Sequence, residues 1–225
     1  MIDVVLPCLD EADALPTVLS RLPEGYRAIV VDNGSSDGSG AIAKDLGAVV
    51  IQEQRRGFGN ACAAGLVAAD GDVVCFCDCD GSLDLAELPL VADPVVAGAA
   101  DLMLGSRQPV SRKAMTATAR LANWALARQI RATTNLQVRD LGPMRAARRR
   151  ELLELHVQDR RSGWPLEMVL LAASRGWRID EVPVRYSPRI GRSKVTGTVR
   201  GTVTAVHDMR GVFRAAALTA GTDAW

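Results

Sequence analysis

Asp72-Val73-Val74-Cys75-Phe76-Cys77-Asp78-Cys79-Asp80-Gly81 is an apolar run that ends abruptly in two carboxylates one residue apart, followed by glycine. A strand buried on both faces of an α/β sheet reads as a continuous apolar run. In such sheets ligands bind outside the carboxyl ends of the strands. The stretch therefore predicts a buried strand that delivers Asp78 and Asp80 to the mouth of a cleft. Residues i and i+2 point to one side of a strand, so both carboxylates can converge on one target. Like charges that close repel unless a cation neutralises them. A hard divalent ion holding a diphosphate uses one or two carboxylates and leaves its other positions to water or phosphate. Asp-x-Asp alone is common on surfaces; its place at the end of a buried run is what points to metal.

The flanking pattern repeats this design. Asp3–Pro7, Ala28–Asp32 and Ala48–Ile51 read as strands, separated by a helix with Leu15, Val18, Leu19 and Leu22 on one face and a second over Ser39–Leu46. Ser36 or Asp37 is placed to cap that second helix, and Gly47 to close it. A small-residue helix follows from the Arg55–Asn60 turn to Ala69. Strand and helix alternate four times before Gly81, the mark of a parallel sheet with helices on both faces. Beyond it the pattern predicts a helix over 85–98 interrupted at Pro94, a strand over 101–107 and a helix over 111–131. An irregular stretch from Asn135 to Arg145, helices over 146–156 and 165–175, a strand over 178–184, a basic loop over 185–194 and a last helix over 197–218 follow.

Composition bounds the rest. The chain has 225 residues, 48 % apolar and 24 % charged, with a net charge of +1. This is the profile of an ordinary globular protein, and no global field calls for nucleic acid. Five cysteines, three in one apolar run, suit buried reduced thiols in the cytoplasm better than a disulfide framework. No signal-peptide pattern and no apolar stretch of about 18 residues is present, so no membrane span is expected. His156 and His207 are isolated, and no phosphate-binding P-loop occurs.

Several motifs occur in order: Pro7-x-x-Asp10-Glu11, Val31-Asp32-Asn33-Gly34-Ser35-x-Asp37, Arg56-Gly57-x-Gly59, Asp78-x-Asp80, Gly105-Ser106-Arg107, Asp140-x-Gly142-x-x-Arg145 and Glu181-Val182-Pro183-Val184. Together they resemble the family 2 glycosyltransferases, closest in flavour to the dolichol-phosphate mannosyltransferase-like branch. The resemblance implies a GT-A fold: a single α/β domain with a Rossmann-like, mostly parallel sheet flanked by helices. It implies a nucleotide-binding half over 1–106, an acceptor half with a basic lid loop over 107–196 and a C-terminal helix over 197–225. It also implies inverting sugar transfer from a UDP- or GDP-sugar, with Mg2+ or Mn2+ on Asp78 and Asp80. Pro7, Asp10, Glu11 and Asp32 would face the nucleotide, with Gly57 and Gly59 in a loop beside it. Arg107 would supply charge after the next strand, and Asp140 and Arg145 would line the sugar and acceptor pocket. Arg189, Ser193 and Lys194 would close over phosphates. Ser82 stands where the branch often has Gln.

If the acceptor is a phosphate it needs no base; if it is a hydroxyl, a carboxylate must take the proton. Asp140 is the first candidate and Glu167 the second. Asp140 also suits a turn cap, Glu167 a first-turn helix acid, and Trp164 and Trp177 packing. A small-molecule acceptor and a polyprenyl phosphate at the membrane surface both remain open, as do peripheral membrane contact and a homodimer face on the last helix. A sugar-1-phosphate nucleotidyltransferase or a non-catalytic nucleotide-sugar binding module are the competing classes.

Overall fold

The structure is a computed structural model; it describes residues 1–191 and 199–222, with side chains of the last helix described over 204–216. Seven strands form one sheet: β1 Ile2–Cys8, β2 Tyr26–Asp32, β3 Val49–Gln52, β4 Val73–Phe76, β5 Leu102–Pro109, β6 Met144–Arg148 and β7 Ile179–Tyr186. Their order is β3-β2-β1-β4-β6-β5-β7. β6 runs antiparallel to β4 and β5, and the other pairings are parallel. The chain steps outward from β1 to β3, then returns to β4 on the other side of β1. That reversal opens a crevice at the carboxyl ends of β1 and β4, where Asp78 and Asp80 follow β4.

Alternation along the strands divides the core into two layers. Val5, Ile29, Val31, Val74 and Phe76 face helices α3 Phe58–Ala68 and α7 Trp164–Ser174. Val4, Leu6, Val30, Cys75 and Cys77 face α1 Leu15–Leu19 and α4 Leu88–Val96. All five cysteines are buried. Trp164 lies 4.8 Å from the Phe76 ring, centroid to centroid, tilted by 58°; it is a packing aromatic, as its apolar setting suggested. Helices α2 Ser39–Asp45, α5 Ala117–Thr134, α6 Arg149–Glu154 and α8 Val199–Thr222 complete the chain. Met209, Val212 and Phe213 of α8 rest on the first layer, so that face is core packing.

Four expectations need correction. Residues 144–148 are a strand, not a turn running into a helix, and the helix waits until Arg149. Ala146 and Ala147 favour helix locally, but hydrogen bonding to β4 and β5 on both sides outweighs that preference. Helix α5 begins at Ala117 rather than 111, because the Thr116 hydroxyl accepts from the Ala119 N–H at 3.2 Å and caps it there. Helix α1 ends at Leu19, short of Leu22. Pro94 sits within α4 without breaking it.

Candidate active site

After Phe76 the β1–β4 ladder ends, and the chain turns outward with the Cys77 N–H still on the Val5 carbonyl at 3.2 Å. Asp80 is buried. Its Oδ1 accepts from the Ser82 N–H at 2.9 Å, and its Oδ2 pairs with the Arg189 guanidinium at 3.0 Å. The basic loop is thus seated on the acidic turn, with Ser187 N–H on the Ser82 carbonyl and Ile190 N–H on the Asp80 carbonyl, both at 2.8 Å. Gly81 permits this. Its φ is +75°, and a Cβ there would stand 2.9 Å from the Ile190 side chain.

Burial pushes the Asp78 carboxyl well above the usual range, and the Asp80 charge pushes it further; Arg189, Arg107 and Arg145 pull the other way. Asp78, beside the ion-paired Asp80, is therefore under-neutralised, the condition a cation relieves. Beside them the Ser82 hydroxyl is buried without a hydrogen-bond partner. Among the described residues no cluster of three or more His, Cys, Asp or Glu could hold an ion by itself, so the pair offers two protein carboxylates. This donor set suits a hexacoordinate hard ion that takes phosphate oxygens for the rest.

Arg107, at the end of β5, is held as a rigid fork. Its Nε and Nη2 meet the two oxygens of Asp140 at 2.7 and 2.6 Å, its backbone N–H meets Asp140 at 2.9 Å, and Nη2 also reaches Asn123 Oδ1 on α5 at 3.1 Å. The guanidinium stacks over the Tyr186 ring, 5.5 Å from its centroid. Burial alone would raise the Asp140 carboxyl, but Arg107 overcomes it and holds the group low. Arg145 is buried and donates to the carbonyls of Leu141, Gly142 and Pro165. It clamps the 141–142 turn to the start of α7, and burial pulls its own pKa down to about 10.

The first two loops are stitched together. Asp10, at φ 52°, donates its N–H to the Ser35 hydroxyl at 2.9 Å and accepts from the Ser36 N–H at 2.7 Å. Glu11 N–H meets the Ser39 hydroxyl at 2.9 Å, and Ala12 N–H meets Asp37 at 3.0 Å. The Pro7 carbonyl accepts from the Cys79 thiol at 3.0 Å, tying this rim to the acidic turn. Asp32 accepts from the Ser35 N–H at 2.8 Å and from the Gln52 amide at 3.1 Å. Burial opposes its ionisation, yet these bonds keep its pKa lowered.

The space that Gly57 and Gly59 leave is filled by the chain's own backbone. A Cβ on Gly57 would stand 2.3 Å from the Arg160 carbonyl oxygen, and one on Gly59 2.6 Å from that of Asp159. The Gly59 and Asn60 N–H groups, the anion-attracting start of α3, are spent on the Arg161 and Arg160 carbonyls at 3.1 and 3.0 Å. The close approach that these glycines allow is by the chain's own 159–161 backbone. Glu167 serves the same loop, accepting from the N–H groups of Gln158 and Asp159 at 3.1 and 2.6 Å. Gly59→Ala is accordingly expected to lower the melting temperature by several degrees, a cost of about 2 kcal/mol or more, with nucleotide affinity of the folded fraction unchanged. A stable variant with weakened nucleotide binding would restore the ligand-loop reading.

Pro7, Asp10, Glu11 and Asp32 thus share one group of loops, and Asp78, Asp80, Arg107, Asp140, Arg145 and Arg189 form one charged cluster beside it. Ser193 and Lys194 lie outside the described residues, as do residues 197, 198 and 223–225 of the expected C-terminal segment. Asn123 and Tyr186 went unsingled in the sequence, and Asn33 stood there only as a member of the motif after Val31. Asn33 clamps the 53–57 segment through Glu53 O, Arg55 O and Gly57 N–H, each at 2.8 Å. Its place directly after Asp32 was the one available signal.

Comparison with known proteins gives one answer at several distances. The model of "Glycosyl transferase family 2" matches residues 3–156. An uncharacterized glycosyltransferase of Mycobacterium tuberculosis is 45 % identical over 208 residues, covering 92 % of this chain and 95 % of its own. A dolichyl-phosphate hexose transferase of Haloferax volcanii is 32 % identical over 195 residues, 85 % of each chain. Among solved structures, glucosyl-3-phosphoglycerate synthase from Mycobacterium tuberculosis, in complex with Mn2+, UDP and glucosyl-3-phosphoglycerate, superposes with a TM-score of 0.74 at 22 % identity. That match covers 96 % of this chain and 79 % of the other.

Proposed function

Because this chain belongs to glycosyl transferase family 2 and has the GT-A fold, it is a glycosyltransferase, and we propose that it moves a sugar, with inversion, from a nucleoside-diphosphate donor to a phosphate-bearing acceptor of the polyprenyl-phosphate kind. The observation that carries this reading is the pair of aspartates at the sheet's carboxyl edge, Asp80 ion-paired with Arg189 and Asp78 under-neutralised beside it. Asp78 and Asp80 would hold Mg2+ or Mn2+, the ions bound with UDP in the structural neighbours. The ion would offset the charge that develops on the departing diphosphate. Pro7, Asp10, Glu11 and Asp32 form the rim assigned to the nucleotide, consistent with a donor half over 1–106. Arg189, now on Asp80, is placed to pass to a phosphate when one arrives, with Ser193 and Lys194 following on the same segment.

A phosphate acceptor is favoured over a hydroxyl by the state of the two expected bases. Asp140 spends both oxygens on Arg107 and is held in its ionised, weakly basic form. Glu167 spends its oxygens on backbone N–H groups. Neither is poised to take a proton, and a phosphate monoester at neutral pH needs none taken. Arg107 then becomes the acceptor's anchor through charge-assisted hydrogen bonds, with Asp140 and Asn123 as positioning residues. The hexose transferase relative, whose name carries dolichyl phosphate, agrees with this choice.

The test offers polyprenyl phosphate and the matching polyprenol with UDP- and GDP-sugars. Transfer to the phosphate alone is expected. Asp140→Asn should raise the acceptor KM by about tenfold, the loss of one charge-assisted contact, and leave the shape of the pH–rate profile unchanged. Transfer to the alcohol, with an acid limb that vanishes in Asp140→Asn, would return Asp140 to the role of general base.

A further inference from the structure

Residues 102–139 hold seven of the chain's 27 Lys and Arg and none of its 26 Asp and Glu. Arg107 and Arg139 among them are paired with Asp140 and Glu181; the other five leave a local excess that the net charge of +1 conceals. Helix α5 lies at its centre. It turns Ala127 and Ile130 into the core and leans Leu126 on it. The opposite face carries Leu121, Trp124 and Arg128 at i, i+3 and i+7, one stripe of a helix. Leu121 is 65 % and Trp124 57 % exposed. Arg112 and Lys113 precede the helix and Arg120 lies in its first turn, all three exposed.

An outward leucine and tryptophan set among cations is the reverse of an ordinary surface helix. It matches a helix lying in a lipid interface, where the indole ring sits at headgroup level and the cations meet anionic lipid. No helix among the described residues is long and apolar enough to cross a membrane, so contact by this face would be peripheral. The position fits as well. The residue before Trp124 is Asn123, which grips Arg107, so a bilayer on this face would lie beside the acceptor's anchor.

We propose that the Leu121–Trp124–Arg128 face of α5, with Arg112, Lys113 and Arg120, docks the enzyme on an anionic lipid surface. The inference deepens the proposed function by placing the lipid that would carry the acceptor, but it stands on this surface alone. Its partner is set by charge complementarity: a cationic patch with an apolar centre seeks an anionic, apolar-cored surface.

Co-sedimentation with vesicles tests it without any substrate. The chain should sediment with phosphatidylglycerol vesicles and far less with phosphatidylcholine, and salt should release it. Leu121→Ser with Trp124→Ser should lower partitioning about tenfold or more. Arg120→Gln with Arg128→Gln should lower it about 25-fold at low salt, about fivefold for each cation. Melting temperature and metal-dependent donor binding should stay as in the parent. Failure to bind phosphatidylglycerol vesicles, or equal binding by the variants, would overturn the inference. So would loss of self-association or of duplex DNA binding in those variants at unchanged lipid binding. Vesicle binding without transfer to a phosphate acceptor would fault the proposed function and leave this surface standing; transfer without vesicle binding would do the reverse.

Discussion

Asp78→Asn is expected to lower turnover about a thousandfold or more while leaving a metal-free fold at least as stable as the parent. The first half follows from the task assigned to the carboxylate. A metal anchoring a leaving diphosphate supplies several kcal/mol of transition-state stabilisation, and each 1.36 kcal/mol is about tenfold in rate. The second half follows from the cost of Asp78 itself. Its carboxyl is half-buried, next to Asp80, and its pKa in the fold is raised above the ordinary value of 3.8. A carboxyl raised on folding favours the native state while protonated, and that advantage is lost as pH climbs from the unfolded value through the folded one. At neutral pH the ionised group therefore burdens the fold, and the neutral isostere removes the burden. Nucleoside-diphosphate release and thermal melting in chelator check the two halves separately. A variant that keeps a tenth of the turnover, or melts well below the parent, would contradict them.

Arg145→Met is expected to cost about 3–5 kcal/mol of stability, the largest loss for a single side chain in the cleft. Arg145 satisfies the carbonyls of Leu141, Gly142 and Pro165 from a buried position. Each carbonyl left unpaired costs about 1–3 kcal/mol. Gly142, at φ +52°, lies so close to β5 that a Cβ there would stand 2.9 Å from the Gly105 carbonyl oxygen, so the turn has little room to readjust. Lysine cannot substitute, because one ammonium does not span three acceptors as a planar fork does. Urea unfolding should show a lower midpoint with an unchanged slope. A stability loss under about 1 kcal/mol, together with a large rise in acceptor KM, would make Arg145 a pocket-lining residue instead.

These two arginine–carboxylate questions show where sequence reading succeeds and where it stops. Asp32, Asp78 and Asp80 were legible because an apolar run ending in an acid is a local pattern, and the sheet's crossover rule puts such ends on one edge. The order of motifs led to the family, and the family to the fold. Strand β6 was not legible, because Arg145-Ala146-Ala147-Arg148 has no β signature of its own; it is a strand only because β4 and β5 flank it. Gly57 and Gly59 were read as room for a ligand, since a glycine pair before a helix looks the same whether a phosphate or the chain's own backbone comes close. The grip of Asp140 on Arg107 spans 33 residues of sequence, and that of Arg189 on Asp80 joins segments far apart in the chain. No spacing rule finds such pairs. Yet they take up both oxygens of Asp140 and set a guanidinium on Asp80.

The claim that the rest stands on is that Asp78 and Asp80 share a divalent ion with the donor's diphosphate. A Mn2+ titration followed by the free ion's paramagnetic resonance, with and without UDP or GDP, tests it most directly. The ion should bind weakly alone, because Arg189 already occupies Asp80. It should bind at least tenfold more tightly with the fitting nucleotide, by the mutual enhancement that linkage requires, and fail to do so in Asp78→Asn. Nucleotide binding that is the same in chelator as in Mn2+, or an Asp78→Asn variant that binds the ion as the parent does, would contradict it.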